Sequence, residues 1–119
     1  MNDSNSTAMR PQAPYHAVIF SSQRTTDDET GYARMAERMD QLARQQPGFL
    51  GVESSRDKDG SGITISYWTD LASIRAWRDN AEHKSAQEKG KQKWYESFHV
   101  RICRVEQSHS FPPAGCELD

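Results

Sequence analysis

The stretch Gly62–Val105, GITISYWTDLASIRAWRDNAEHKSAQEKGKQKWYESFHVRICRV, decides the predicted fold because it carries the clearest strand and helix patterns of the chain. Apolar and polar residues alternate up to Trp68, as they do in a half-buried strand. Leu71, Ile74 and Trp77 then recur at the spacing of one helix face. The stretch also contains all three tryptophans and two of the four histidines. It therefore predicts a strand, two helices and a strand, and most of the lining of any pocket.

The second predicted helix has an unusual inward face. Asn80 is a residue type that caps helix starts, and we expect the helix to run to Lys93. The residues that share one stripe of it are His83, Ala86, Gln87, Gly90 and Trp94. A helix that faces a core normally presents Leu or Ile at such positions. The stripe predicts either the border of a cavity with a few polar groups or a short, solvated helix at the periphery.

The rest of the chain completes a six-element order. The remaining predicted elements are strands at Tyr15–Ser22, Phe49–Arg56 and Ser97–Gln107, and an amphipathic helix that starts at a Thr26–Glu29 capping box and stops at Pro47-Gly48. The order strand–helix–strand–strand–helix–strand is that of the ferredoxin-like plait, an α+β fold with a four-stranded antiparallel sheet and helices on one face. The other face would be bare, which favours a homodimer in which two sheets cover each other.

Composition narrows the class of protein. The chain has 119 residues, 27% of them charged, and a net charge of −2 without a basic block, so a nucleic-acid partner is not expected. No apolar run is long enough to span a membrane and no secretory signal is visible, so we expect a cytoplasmic protein without membrane contact. Cys103 and Cys116 have neither metal-site nor disulfide spacing. We predict a flexible N-terminal tail at 1–13, one domain at 14–108 and a C-terminal tail at 109–119.

Several motifs resemble the antibiotic biosynthesis monooxygenase domain. They are GFLGVESSRD, SYW at the end of the third strand, AWRDNAEHKSAQ, and WYESFHVRICRVE, and together they cover about residues 14–108. The resemblance implies a homodimer whose sheets form an α/β barrel, with a pocket in each subunit between helices and sheet. Members of this family include cofactor-free oxygenases of polyphenols and quinones, haem-degrading oxygenases, and proteins without a known activity.

The haem-degrading branch is matched only in part. Its helix tryptophan falls at Trp77, but its iron-ligating histidine falls at Gln87, and an amide is a poor iron ligand beside an imidazole. Its first-strand asparagine has no counterpart in Phe20-Ser21-Ser22. His83 is one helical turn away from Gln87 and is the only nearby substitute. The resemblance therefore implies no haem cofactor, and haem degradation stays a lesser alternative.

A cofactor-free oxygenase makes modest chemical demands. A base removes a phenolic proton, the electron-rich anion reacts with dioxygen, and the protein excludes water and orients the ring. His83 is the candidate catalytic residue because imidazole titrates near neutral pH. The candidate substrate-binding residues are Trp68, Trp77, Gln87, Trp94, Tyr95, Phe98 and Arg101. No metal site is predicted, since the histidines lack ligand spacing.

Each of these residues also has a purely structural interpretation. Trp68 and Trp77 suit core anchors, and His83 can simply serve the start of its helix. Two hypotheses therefore stand. The first is a cofactor-independent monooxygenase acting on a small aromatic or quinone-like substrate. The second is a non-catalytic homodimer that binds a small hydrophobic ligand.

Overall fold

The computed structural model describes residues 11–112. Its elements are β1 (Tyr15–Arg24), α1 (Glu29–Arg44), β2 (Phe49–Arg56), β3 (Ser61–Trp68), α2 (Leu71–Arg78), α3 (Ala81–Lys89), a π-helical turn (Gly90–Trp94) and β4 (Tyr95–Val105). Most of both predicted tails, and Cys116, lie outside the described residues. Within residues 11–112, no helix combines the length and the apolarity needed to cross a bilayer.

The four strands form one antiparallel sheet in the order β2-β3-β1-β4. This confirms the predicted ferredoxin-like α+β fold. Directly opposed residues of neighbouring antiparallel strands share a face, and Val18 lies opposite Ser66 and Ile102. The same alternation places Trp68 on the face of Val18, and its ring meets Trp77 of α2. The helices therefore lie on that face.

The start of α1 differs from the prediction. The helix begins after Asp28, whose carboxylate accepts a hydrogen bond from the Gly31 amide, and not at the predicted Thr26–Glu29 capping box. The preceding loop is tied to the start of β4 instead, because the Thr25 amide donates to the Trp94 carbonyl at 2.9 Å. This contact ties Thr25 to the π-helical turn, the chain then turns at Asp27 and Asp28, and the helix starts after Asp28.

The start of α3 agrees with the prediction, and its end does not. Asp70 caps α2 and Asn80 caps α3 through their side-chain oxygens. Regular helix stops at Lys89 rather than at Lys93, and a π-helical turn follows in which the Tyr95 amide donates to the Gly90 carbonyl. β4 consequently starts at Tyr95, two residues before the predicted Ser97.

The core is anchored by a few large side chains. Trp68 is fully buried, and Ile74 and Trp94 are 6% and 4% exposed. The helices leave the edge strand β4 open, since Val100 and Ile102 point to the helix side by their register and remain about half exposed. On the opposite face, Ile63 of β3 is 47% exposed.

Candidate functional site

Most of the predicted site residues lie in or beside one of two groups of side chains at opposite ends of β1. One group lies near His16, which pairs with Trp68, and the other near Arg24, which pairs with Tyr95. The strand between His16 and Arg24 is about 26 Å long at the usual rise of a β-strand. We name the groups by their members. The indole–imidazole stack consists of Phe49, Trp68, Trp77 and His83, and the arginine–tyrosine cluster consists of Arg24, Tyr32, Arg56 and Tyr95.

The indole–imidazole stack is a continuous run of rings from β2 to α3. Phe49 meets Trp68 edge to face, with ring centroids 5.4 Å apart. Trp68 is stacked against Trp77 at 6.2 Å, and its indole nitrogen donates to the Ser66 hydroxyl at 2.9 Å. Trp77 is in turn stacked on His83, with centroids 4.1 Å apart and planes 12° apart. The run joins the buried core to a partly accessible imidazole.

The proton arrangement of His83 follows from its neighbours. Its Nδ1 lies 3.0 Å from the carbonyl oxygen of Trp77, and a carbonyl can only accept, so Nδ1 carries the proton. Burial lowers the pKa of His83 below its ordinary value, although the hydrogen bond to Trp77 acts in the opposite direction. The imidazole is therefore neutral at pH 7, and its Nε2 is unprotonated and carries a lone pair. This atom makes no hydrogen bond to residues 11–112.

The arginine–tyrosine cluster is organised around the ring of Tyr32 on α1. The guanidinium carbon of Arg24 lies 3.9 Å from the ring centroid, and its Nη1 donates to the Trp94 carbonyl at 2.8 Å. Arg56 approaches from β2 and donates to the Ser22 hydroxyl at 2.9 Å and to the Tyr32 hydroxyl at 3.4 Å. Two guanidinium groups thus flank one phenol.

Gly62 makes room for Arg56 in this cluster. Along one row of the sheet, Arg56 lies opposite Gly62 and Gly62 lies opposite Ser22. A Cβ on Gly62 would come within 2.7 Å of the Arg56 guanidinium carbon. The missing side chain therefore allows Arg56 to lie across β3 and reach the hydroxyl of Ser22.

Trp94 and Tyr95 close the cluster from the other side. The indole of Trp94 lies edge to face with Tyr32 and donates to Asp28 at 3.3 Å. The Tyr95 hydroxyl lies 3.4 Å from that of Tyr32. Burial raises the pKa of Tyr95 above its ordinary value, and the contact with Tyr32 adds to this rise. Phe98 packs against Tyr95 with centroids 5.9 Å apart.

Two predicted site residues lie away from both groups. Gln87 is exposed, although the predicted stripe required it to share a face with the buried Gly90 and Trp94. The other members of the stripe, His83, Ala86, Gly90 and Trp94, are buried or half-buried, so Gln87 alone departs from it. Arg101 is exposed and lies opposite Ile19 in the sheet, so it points to the face away from the helices and from His83.

An open groove of about 350 Å³ lies at the end of β1 and the start of β4. Its lining residues are Ser21, Ser22, Gln23, Ser97, Phe98 and His99. Phe98 is the predicted site residue among them, and none of the four residues of the arginine–tyrosine cluster lines the groove. Within residues 11–112, no group of three or more His, Cys, Asp or Glu side chains is placed to hold a metal ion.

The sequence did not single out Arg24, Arg56 or Tyr32 as site residues. Arg24 and Arg56 stand at the ends of strands where a charged residue normally meets solvent, and Tyr32 suits the apolar face of α1. A signal did exist in Gly62, since a glycine within a strand often marks a close approach of another group.

The fold and the two aromatic groups define a class: a ferredoxin-like α+β domain with aromatic side chains between its helices and one face of its sheet. The family model described as antibiotic biosynthesis monooxygenase matches residues 14–89. The chain therefore belongs to the antibiotic biosynthesis monooxygenase family, as its motifs predicted.

Relatives and solved structures agree with this assignment. An uncharacterized protein, YqjZ of Bacillus subtilis, is 54% identical over 101 residues, which is 85% of this chain and 88% of that protein. A jasmonate monooxygenase of Pyricularia oryzae is 31% identical over 77% of this chain, which spans only 44% of that protein.

Among solved structures, the cofactor-independent oxygenase SnoaB of Streptomyces nogalater matches with a TM-score of 0.68 at 15% identity, over 81% of this chain and 97% of that one. A protein of the same family from Nitrosomonas europaea matches with a TM-score of 0.69 at 10% identity, over 82% and 95%. At these identities the two structures show the shared fold alone.

Proposed function

We propose that this protein is a cofactor-independent monooxygenase acting on a small aromatic, hydroquinone-like substrate, with His83 as its general base. The observation that carries the proposal is the neutral His83 imidazole, stacked on Trp77 with Nδ1 bonded to the Trp77 carbonyl. Its free Nε2 is the atom that would take the substrate proton. The 31% identity to a protein named as a jasmonate monooxygenase supports oxygen chemistry for this family member.

The reaction balances with dioxygen as the oxidant. Nε2 of His83 removes a proton from the substrate and leaves a delocalised phenolate whose ring carbon is electron-rich. That carbon reduces dioxygen and bonds to it, and the proton held by His83 converts the peroxide into a hydroperoxide. Loss of the remaining C–H proton and cleavage of the O–O bond then give a carbonyl and one water. One oxygen atom enters the product and the other leaves as water.

The stack suits this step for two physical reasons. The bond from Nδ1 to the Trp77 carbonyl fixes the ring orientation and the tautomer, so Nε2 needs no reorganisation before it accepts a proton. The indole of Trp77 also holds the imidazole ring in place by stacking on it, with centroids 4.1 Å apart and planes 12° apart. We assign Trp94, Tyr95 and Phe98 to the other end of the sheet and not to this proton transfer.

The test is oxygenation of a panel of hydroquinones and anthrones under ¹⁸O₂ by the wild type, by His83→Gln and by the control His109→Gln. His109 is an exposed histidine far along the chain from the stack. We expect one labelled oxygen in the product, and a loss of about 10²–10⁴-fold in kcat/KM for His83→Gln alone. Unchanged turnover in His83→Gln would overturn the role of His83. Thermal stabilisation by the same compounds without any product would favour the non-catalytic binding alternative.

We also propose that the protein acts as a homodimer, as the family resemblance implies. The support is the half-exposed Ile63 on the sheet face away from the helices, on a face that also carries Ile65 and Tyr67 by alternation. Ile63→Glu would place a charge in the centre of such an interface. Light scattering should show a dimer for the wild type and a monomer for Ile63→Glu. A monomeric wild type would contradict the proposal.

A further inference from the structure

The sheet face away from the helices carries two charges, one on each edge strand. Among the paired residues of the four strands, Glu53 of β2 and Arg101 of β4 are the only Asp, Glu, Lys or Arg side chains that alternation places on this face. Glu53 lies opposite Ile65, and Arg101 lies opposite Ile19. Ile65 and Ile19 in turn lie opposite each other. The two charges therefore stand at the two ends of one row across the sheet, with an apolar pair between them.

The two charged side chains cannot reach each other within one chain. Three strand spacings separate the ends of the row, which is about 14 Å at the usual distance between neighbouring strands. Within residues 11–112, neither side chain lies within 4 Å of an oppositely charged group. Arg101 is exposed, and its guanidinium makes no hydrogen bond to these residues. The positive end of the row is therefore available to a group on another molecule.

Tyr67 fixes the acidic end of the row. Its hydroxyl donates to Oε2 of Glu53 at 2.6 Å. Burial raises the pKa of Tyr67, and the hydrogen bond to Glu53 adds to the rise, so the phenol keeps its proton at pH 7 and remains a donor. The other carboxylate oxygen, Oε1, accepts no hydrogen bond from residues 11–112. The half-buried carboxylate is thus oriented by its neighbour and keeps one oxygen for a cation.

A two-fold axis parallel to the strands makes this row self-complementary. Such an axis exchanges the two edges of the sheet, so β2 of one subunit faces β4 of the partner subunit. Glu53 then faces Arg101 of the partner subunit at one edge, and the same pair repeats at the other edge. Packed sheets lie about 10 Å apart, a gap that a glutamate and an arginine can bridge together. An axis across the strands would instead set acid against acid and base against base, which is destabilising.

We propose that Glu53 and Arg101 form two symmetric ion pairs between subunits, and that these pairs select how the two sheets dock. The pairing rests on the proposed homodimer, and it adds which edge of one sheet meets which edge of the other. Burial of Ile19 and Ile65 stabilises the contact but has no direction, so the charges supply the orientation. Ion pairs at the rim of an otherwise apolar face reject the wrong arrangements of that face.

Charge reversal at one end of the row tests the proposal. In a homodimer, Glu53→Lys would create two lysine–arginine contacts, and Arg101→Glu would create two contacts between glutamates. Analytical ultracentrifugation should show that each reversal raises the dimer dissociation constant at least about a hundredfold over the wild type. The matched control is Arg104→Glu, which makes the same reversal on the same strand but on the helix-side face, where Arg104 lies opposite His16. This control should dimerise like the wild type.

A mixture of the two reversed variants separates the effect of charge from structural damage. Glu53→Lys and Arg101→Glu together restore both attractive pairs, so an equimolar mixture should form a heterodimer with an affinity near that of the wild type. Native mass spectrometry, with ¹⁵N labelling of one variant, distinguishes the heterodimer from both homodimers. Single reversals that dimerise as tightly as the wild type, or a mixture that stays monomeric, would overturn the ion pairs and leave the homodimer in place. A monomeric wild type would contradict the homodimer itself, and the ion pairs with it.

Discussion

The two ends of the helix-covered sheet face use aromatic rings in opposite ways. At the His16 end, Trp68, Trp77 and His83 form a neutral stack in which burial keeps the imidazole uncharged. At the Arg24 end, the guanidinium groups of Arg24 and Arg56 flank the ring of Tyr32. Within residues 11–112, no carboxylate lies within 4 Å of either guanidinium. The difference teaches that one face of a small sheet can carry a neutral aromatic stack at one end and a cationic aromatic cluster at the other, because His16 and Arg24 stand at opposite ends of β1.

Trp68→Ala should produce the largest effect and break the neutral end. Trp68 is fully buried and contacts both Phe49 and Trp77. Loss of this indole should lower the free energy of unfolding by about 3–5 kcal/mol. Urea denaturation measures the change, with Leu71→Ala as the control because Leu71 is 44% exposed. A loss in Trp68→Ala no larger than that in the control would mean that the stack is not a core element.

Gly48→Ala should have a smaller effect at the same end. Gly48 has a φ of +85°, which a residue with a side chain rarely adopts, and a Cβ there would collide with the hydroxyl of Ser73. The strain should cost about 1–3 kcal/mol of stability. Denaturation of Gly48→Ala against Gly62→Ala sharpens the comparison, since the latter displaces only a flexible arginine. Equal losses in the two variants would contradict this account.

The pH dependence of stability should report the buried imidazole at the neutral end. Because burial lowers the pKa of His83, the unfolded chain binds a proton more readily than the folded chain does. The contribution is complete above the unfolded pKa of about 6.5 and is lost as pH falls toward the folded value. Chemical denaturation of wild type and His83→Gln from pH 8 to pH 5 measures the difference. Parallel curves for the two proteins would contradict a lowered pKa.

Tyr95→Phe should give the smallest change and tests the charged end. The Tyr95 hydroxyl makes one long contact, 3.4 Å to Tyr32. Its removal should change the free energy of unfolding by less than about 1 kcal/mol. Burial raises the pKa of Tyr95 and that of Tyr67, so spectrophotometric titration should show phenols that ionise above the ordinary range in wild type, and one fewer of them in Tyr95→Phe. Identical titrations would argue against the buried phenol.

Local patterns in the sequence predicted the sheet and most helix starts. The alternation around Ile65 reflects the two-residue period of a strand, and the unbroken apolar run Ala17–Phe20 at the centre of β1 is typical of a strand covered on both faces. Asp70 and Asn80 cap helices by contacts within three residues, so their roles are visible in the chain itself. The Thr26–Glu29 capping box was wrong because the competing contact comes from Trp94, far along the chain.

The candidate site was predicted only in part. His83 and Trp77 are six residues apart on adjoining helices, and the structure brings them into contact. Arg24 and Arg56 meet only because strand pairing places β2 and β1 on either side of β3. No local spacing encodes that meeting. The exposed position of Gln87 was likewise not visible in the sequence, because helical spacing alone does not show how wide the covered face of a short helix is.

The π-helical turn Gly90–Trp94 has a consequence for how such chains diverge. A π-helical turn holds one residue more than the α-helical turn it replaces. Removal of a single residue between Gly90 and Lys93 would let α3 continue regularly, and the indole of Trp94 would rotate away from Tyr32. Among related sequences, a one-residue gap at this point would mark chains in which no indole covers Tyr32 of the arginine–tyrosine cluster.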